Sequence, residues 1–221
     1  MSEFALPQLV DYSATFIWAL SGGLIAARRG YDVVGIAGVA LVSATGGGLL
    51  RDGLFLQDGP PRLVRTANYM GLVLTAVAVV LLVGRRVARV RAIDEALALV
   101  DAVGLGAYAV VGVQLALLRQ LHPLGVVLVG VVTAVGGSVL RDMVMRRDPD
   151  IFKPGTLLAL ASMVGCLVFL GCTRWLALDE VLSTWVTIGV VVGLRSASVY
   201  YGWRTRAIVE LEAEAYPPRD T

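Results

Sequence analysis

Charge is what this chain has least of. Only 16% of its 221 residues are Asp, Glu, Lys or Arg, against 57% that are apolar, and the mean hydropathy is +0.77. A soluble domain exposes too much surface for such a composition, so a soluble enzyme is excluded. Lysine is almost missing, Lys153 being the sole one among nineteen basic residues, and His122 is the single histidine. The two cysteines, Cys166 and Cys172, lie six apart inside one apolar stretch, a spacing that suits neither a disulfide nor a metal site and fits thiols packed as small hydrophobes. With so few such groups there is no His or Cys cluster for a metal and no nucleophile beside a base. Nor is there a phosphate-binding glycine loop or a basic-aromatic surface for nucleic acid. The reading is a non-enzyme with no cofactor, no resident metal, no nucleic acid and no soluble protein partner implied.

Long polar segments are missing too. Apolar runs near the bilayer-spanning length recur at 7–27, 33–53, 66–83, 97–118, 124–145, 156–171 and 182–202, separated by short turns rich in Gly and Pro. The expected fold is therefore an all-α integral membrane protein of seven transmembrane helices, which excludes a single-anchor receptor. No basic stretch precedes the first run, so it is expected to be a retained span rather than a cleaved leader. With the N-terminus outside, twelve of the nineteen basic residues fall in cytoplasmic segments, among them Arg28, Arg29, Arg85, Arg86, Arg146 and Arg147. Only Arg62, Arg65, Arg119 and Arg174 then lie outside. The positive-inside rule favours that orientation, C-terminus in, in the plasma (inner) membrane of a prokaryote.

Shifting the sequence on itself by 90 residues aligns Asp11 with Asp101, Gly22 with Gly112, Arg29 with Arg119 and Gly35 with Gly125. The block Gly46-Gly47-x-x-Leu50-Arg51-Asp52 falls on Gly136-Gly137-x-x-Leu140-Arg141-Asp142, and 14 of 42 positions between 11 and 52 are identical to their counterparts. The chain divides accordingly into a first three-helix repeat (1–95), a second (96–175), a seventh helix (176–203) and a cytoplasmic tail (204–221). Three spans per repeat is an odd number, so the second copy is expected to enter the membrane inverted, with a pathway near the midplane.

Spans two and five carry the chemistry. Successive glycines at Gly46, Gly47 and Gly48, and at Gly136 and Gly137, cost a helix about 1 kcal/mol each and predict a kink or unwinding there. Carbonyls freed by unwinding, with the hydroxyls of Ser43, Thr45, Thr133 and Ser138, would suit a partly dehydrated cation. The alternative is that the glycines only let two helices approach closely. Adjacent helical residues do not face one another, so Arg51 is expected to pair with Asp142 and Arg141 with Asp52. Asp11, Asp101 and Arg195 would complete the network. The alternative there is that both Arg-Asp pairs snorkel to the headgroups.

At these two blocks the sequence resembles the prokaryotic branch of the trimeric intracellular cation (TRIC) channels, once grouped as uncharacterised or "glycine transporter" membrane proteins. The resemblance extends over the seven spans, the three-plus-three repeat and the glycine-rich second and fifth spans. It implies a homotrimer with one K+-conducting pore per protomer, lined by those two spans, with permeant K+ or Na+ and bound lipid as its only ligands. Ser138 stands where the first copy has Gly48, which implies that the two halves of the pore need not gate alike. The Lys-Glu-Val motif of animal members is missing. A secondary transporter of a small zwitterion such as glycine uses the same repeat and breaks, and a purely structural membrane protein is the third reading.

Overall fold

A computed structural model describes residues 5–87, 93–153 and 157–203; the tail expected at 204–221 lies outside the described residues. The helices are α1 (Ala5–Arg28), α2 (Val33–Leu50), the short α3 (Arg62–Arg65), α4 (Ala67–Val87), α5 (Ile93–Leu118), α6 (Pro123–Val144), α7 (Leu158–Arg174) and α8 (Glu180–Tyr200). A π-helical turn, Arg51–Leu56, continues α2, and a 3₁₀ turn, Asp150–Phe152, follows α6. Among the described residues six helices are long and apolar enough to cross a bilayer, and α7, with 17 residues, is the shorter seventh. Leu82, Leu128, Leu167 and Val199 point outward. In water they would be a liability, whereas in lipid they match the solvent.

The offset of 90 is written into the backbone. The amides of Arg29 and Tyr31 close the end of α1 on the Ala26 carbonyl, and those of Arg119 and Leu121 close α5 on that of Ala116. Next, Asp32 caps α2 by accepting from the Gly35 amide, and His122, its counterpart, caps α6 by accepting from the Leu124 amide. Two apolar clusters form, each drawn mainly but not wholly from one half. One gathers Ala26, Ile36, Val39, Val73 and Val77 from α1, α2 and α4; the other gathers Val110, Val126, Val129, Ala161 and Phe169 from α5, α6 and α7. Cys166 and Cys172 are free and buried.

The two glycine blocks do not break their helices. Helix α2 runs unbroken through Gly46–Gly48 and α6 through Gly136 and Gly137; departure from α geometry in the first repeat begins only at Arg51. The physical reason is the α2–α6 crossing. A Cβ on Gly47 would lie 2.0 Å from the Thr133 carbonyl oxygen, and one on Gly137 would lie 2.3 Å from that of Ser43. Likewise Gly46 faces the Leu140 side chain and Gly136 that of Leu50. Keeping the intrahelical hydrogen bonds in a low-dielectric setting, together with this close packing, outweighs the poor helix propensity of glycine. The contacts are reciprocal: what Gly47 does to Thr133, Gly137 does to Ser43. Such reciprocity is what a local two-fold axis produces.

Candidate functional site

Two cavities lie at opposite ends of α1. The larger, about 400 Å³, is lined by Trp18, Ile25, Arg28, Arg29, Asp101, Ser138, Arg141, Arg147, Asp150 and Arg195. The smaller, about 20 Å³, is lined by Asp11, Thr15, Thr45, Gly48, Arg51, Asp52, Tyr69 and Tyr108. From Asp11 to Arg28 along α1 is roughly 25 Å at the helical rise. Adding 90 to Asp11, Gly48 and Arg51, which line the smaller, gives Asp101, Ser138 and Arg141, which line the larger.

In the two Arg-Asp blocks each arginine pairs with its own neighbour, not with the acid of the other repeat. Arg51 Nε donates to Asp52 Oδ1 at 2.7 Å, and Arg141 Nε to Asp142 Oδ1 at 3.2 Å. The expected crossed pairs, Arg51 with Asp142 and Arg141 with Asp52, do not form. Adjacent Cβ atoms diverge on a helix, but the arginine stem is long enough to fold back onto its neighbour, and burial rewards the short charge-assisted bond. Snorkelling is excluded by the same geometry, since Arg51 is 2% exposed and Arg141 6%. The remaining partners differ between copies. Asp52 Oδ2 accepts from the Arg62 amide at 3.0 Å, and Asp11 Oδ2 from the Tyr69 hydroxyl at 2.5 Å. In the second copy Arg141 Nη1 lies 3.6 Å from Asp101 Oδ2, while Asp101 Oδ1 accepts from Ser21 at 2.7 Å. Arg195 lines the larger cavity, but among the described residues it joins no ion pair, and its Nε, like Arg51 Nη1, has no hydrogen-bond partner.

The hydroxyls named from the sequence are engaged with their own helices. Ser43, Thr45 and Thr133 each donate to the carbonyl four residues earlier and Ser138 to that of Val135, so their protons point away from the cavities. Carbonyls freed by unwinding are not found along Gly46–Gly48 or at Gly136 and Gly137, because both helices are intact. Thr133, Ser43, Gly46, Gly47, Gly136 and Gly137 serve the crossing, whereas Asp11, Thr45, Gly48, Arg51 and Asp52, and Asp101, Arg141 and Ser138, are brought together in the cavities.

Sequence reasoning missed the partition between the cavities. Trp18, facing the larger one, packs on Tyr108, facing the smaller, at a centroid distance of 5.1 Å and 60°. The Tyr108 hydroxyl donates to the Ala44 carbonyl and lies 3.0 Å from Thr15 Oγ1. These two aromatics are 90 residues apart. Reading the offset for similar rather than identical residues would have found them. Tyr108→Phe keeps the ring and loses the bond to α2, so it is expected to lower stability by about 1 kcal/mol, which thermal unfolding checks.

Comparison with known proteins agrees with this architecture. A family profile described as "Glycine transporter" matches twice, over residues 8–85 and 98–174, with starts 90 apart. A UPF0126 membrane protein of Deinococcus radiodurans is 32% identical over 157 residues, 71% of each chain. The UPF0126 inner membrane protein YadS of Escherichia coli is 30% identical over 185 residues, 84% of this chain and 86% of that one. Among solved structures, one described under conductance through TRIC cation channels superposes with a TM-score of 0.79 at 27% identity, covering 90% of this chain and 96% of that one. The TRIC trimeric intracellular cation channel orthologue from Rhodobacter sphaeroides superposes with a TM-score of 0.81 at 25% identity, covering 90% and 99%. The chain is a multi-pass membrane protein that belongs to this glycine-transporter family of UPF0126 proteins and has the fold of the TRIC cation channels.

Proposed function

We propose that the protein is a monovalent cation channel, passing K+ through each protomer from one cavity to the other across the α2–α6 crossing. The observation that carries the reading is the pair of equivalent charged cavities separated by the Trp18–Tyr108 partition, in a fold shared with proteins described as cation channels. The two repeats, about 1–95 and 96–175, are inverted in the bilayer, so the axis relating them lies in the membrane plane. The N-terminus is outside and the C-terminus in the cytoplasm of a prokaryote, which makes the larger, arginine-rich cavity the cytoplasmic one. Three protomers assemble, each with its own path. Gly38, Gly189 and Gly193 have nothing within 4 Å of an added Cβ, which leaves small-residue faces open to another copy or to lipid.

Five arginines against two carboxylates line the larger cavity, an excess that raises the barrier for an entering cation. Removing Arg195, which makes no ion pair among the described residues and feels Asp101 and Asp150 only through space, should lower it. Arg195→Gln is expected to raise unitary K+ conductance by roughly twofold or more, measured in planar bilayers beside K+ flux into proteoliposomes. That same excess favours the second reading, a carrier of a small zwitterion whose carboxylate the guanidinium groups would hold. Saturable amino-acid exchange without unitary currents would establish the carrier and end the channel reading.

A further inference from the structure

The smaller cavity is covered by a lid. After the π-helical turn, Gln57 adopts a left-handed conformation and Gly59 turns at a φ of +91°, and Pro60, Pro61 and α3 lay the chain over Asp52. Three contacts hold it. The Arg62 amide donates to Asp52 Oδ2, and the Arg65 guanidinium donates to the Asp58 carbonyl. Arg119, at the end of α5 in the other repeat, reaches the Asp58 carboxylate with Nε at 2.7 Å and Nη2 at 2.5 Å. That last contact ties the lid of one repeat to the body of the other.

Both partners of this bridge exist twice. Asp148 is the counterpart of Asp58 and Arg29 that of Arg119. The backbone that presents them is also repeated, since the Gln57 amide bonds the Asp52 carbonyl at 2.9 Å and the Arg147 amide bonds the Asp142 carbonyl at 2.8 Å. Yet at this end the bridge is not made. Arg29 Nη1 donates instead to the Met145 carbonyl at 3.0 Å, and Asp148 is exposed. Where the bridge is made the cavity measures about 20 Å³, and where it is not made the cavity measures about 400 Å³.

We propose that Asp58–Arg119 and Asp148–Arg29 are alternative latches of one pseudo-symmetric gate, and that the chain has a second conformation in which the first is broken and the second formed. Two copies of one unit related by a two-fold axis have two conformations that exchange which half is closed. Half-exposed ion pairs are weak, so each latch biases this equilibrium without locking it. The proposal rests on the inverted arrangement of the repeats but not on the identity of the ion.

The test reads cysteine accessibility rather than flux. Thr45→Cys reports on the smaller cavity and Ser138→Cys on the larger, labelled in vesicles by a membrane-impermeant cationic methanethiosulfonate. Wild type serves as the control for buried Cys166 and Cys172. Asp58→Asn is expected to speed Thr45→Cys labelling by up to roughly fivefold, the population shift available to an exposed pair. Asp148→Asn, far from the reporter, should slow it by a similar factor in either background, because it removes the latch of the other state. The exchange Asp58→Arg with Arg119→Asp should restore the wild-type rate, which a merely damaged fold would not do. An unchanged rate in Asp58→Asn, or indifference to Asp148→Asn, overturns the proposal, the latter leaving only a one-sided lid. Labelling of positions 45 and 138 from the same membrane face overturns the inversion, and the proposal with it, whatever the flux assays report.

Discussion

Gly47→Ala and Gly137→Ala are expected to be the most damaging single-methyl changes in the two glycine blocks. An added Cβ would lie 2.0 Å from the Thr133 carbonyl oxygen in the first and 2.3 Å from that of Ser43 in the second, and at Gly137 also 2.5 Å from the Trp18 ring. The close atoms include helix backbone, so no side-chain rotation relieves the clash and α2 must move from α6. Overpacking of this kind costs about 1–3 kcal/mol, and a collision with main chain belongs at the upper end. Gly48→Ala is the control, because its nearest neighbour is Arg51 Nη2 at 3.6 Å and alanine favours the helix by about 1 kcal/mol. Gly189→Ala meets nothing within 4 Å of the new atom. Thermal unfolding of the four variants in detergent should rank the first two far below the others. Equal stability of Gly47→Ala and Gly48→Ala would show that the crossing is not where the glycines act.

That ranking separates what could be read from the sequence from what could not. The seven helices were legible because a bilayer demands long apolar runs, and the repeat because Arg and Asp are rare inside them. What Gly46–Gly48 do was not legible. Glycine both weakens a helix and permits close approach, and which effect prevails depends on whether another backbone lies opposite, here that of Thr133 and Gly137. Pairing of Arg51 with Asp52 was misjudged for a related reason. The rule that neighbours on a helix face apart concerns Cβ directions, whereas the guanidinium sits far enough along its stem to return. Asp11, Asp101, Arg51 and Arg141 did fall in the cavities, since a buried charge at membrane depth needs a polar site. The lid over Asp52 had no signal at all, because Arg119 lies 61 residues from Asp58 and only the fold joins them.

The buried arginines should respond unequally to the same change in their partners. Asp52→Asn leaves the Arg51 guanidinium, 2% exposed, with no carboxylate within ion-pair distance among the described residues and with Nη1 already unpartnered. Its amide oxygen still accepts from the Arg62 backbone, so the lid contact survives and the loss is the charge alone. Breaking a buried pair by removing one partner costs about 3–5 kcal/mol. Asp142→Asn removes the matching carboxylate from Arg141, but Asp101 Oδ2 remains 3.6 Å from Nη1 and the site opens on the larger cavity. A second acid and access to water should hold that loss to about half the first or less. Replacing both members of the first pair, as Arg51→Leu with Asp52→Asn, removes the unpaired charge and should recover most of the stability lost in Asp52→Asn. The recovered double variant then tells structure from conduction. If it folds and its K+ flux is wild type, the pair serves only to hold α2 in place. If it folds and the flux changes, Arg51 and Asp52 stand on the path of the ion.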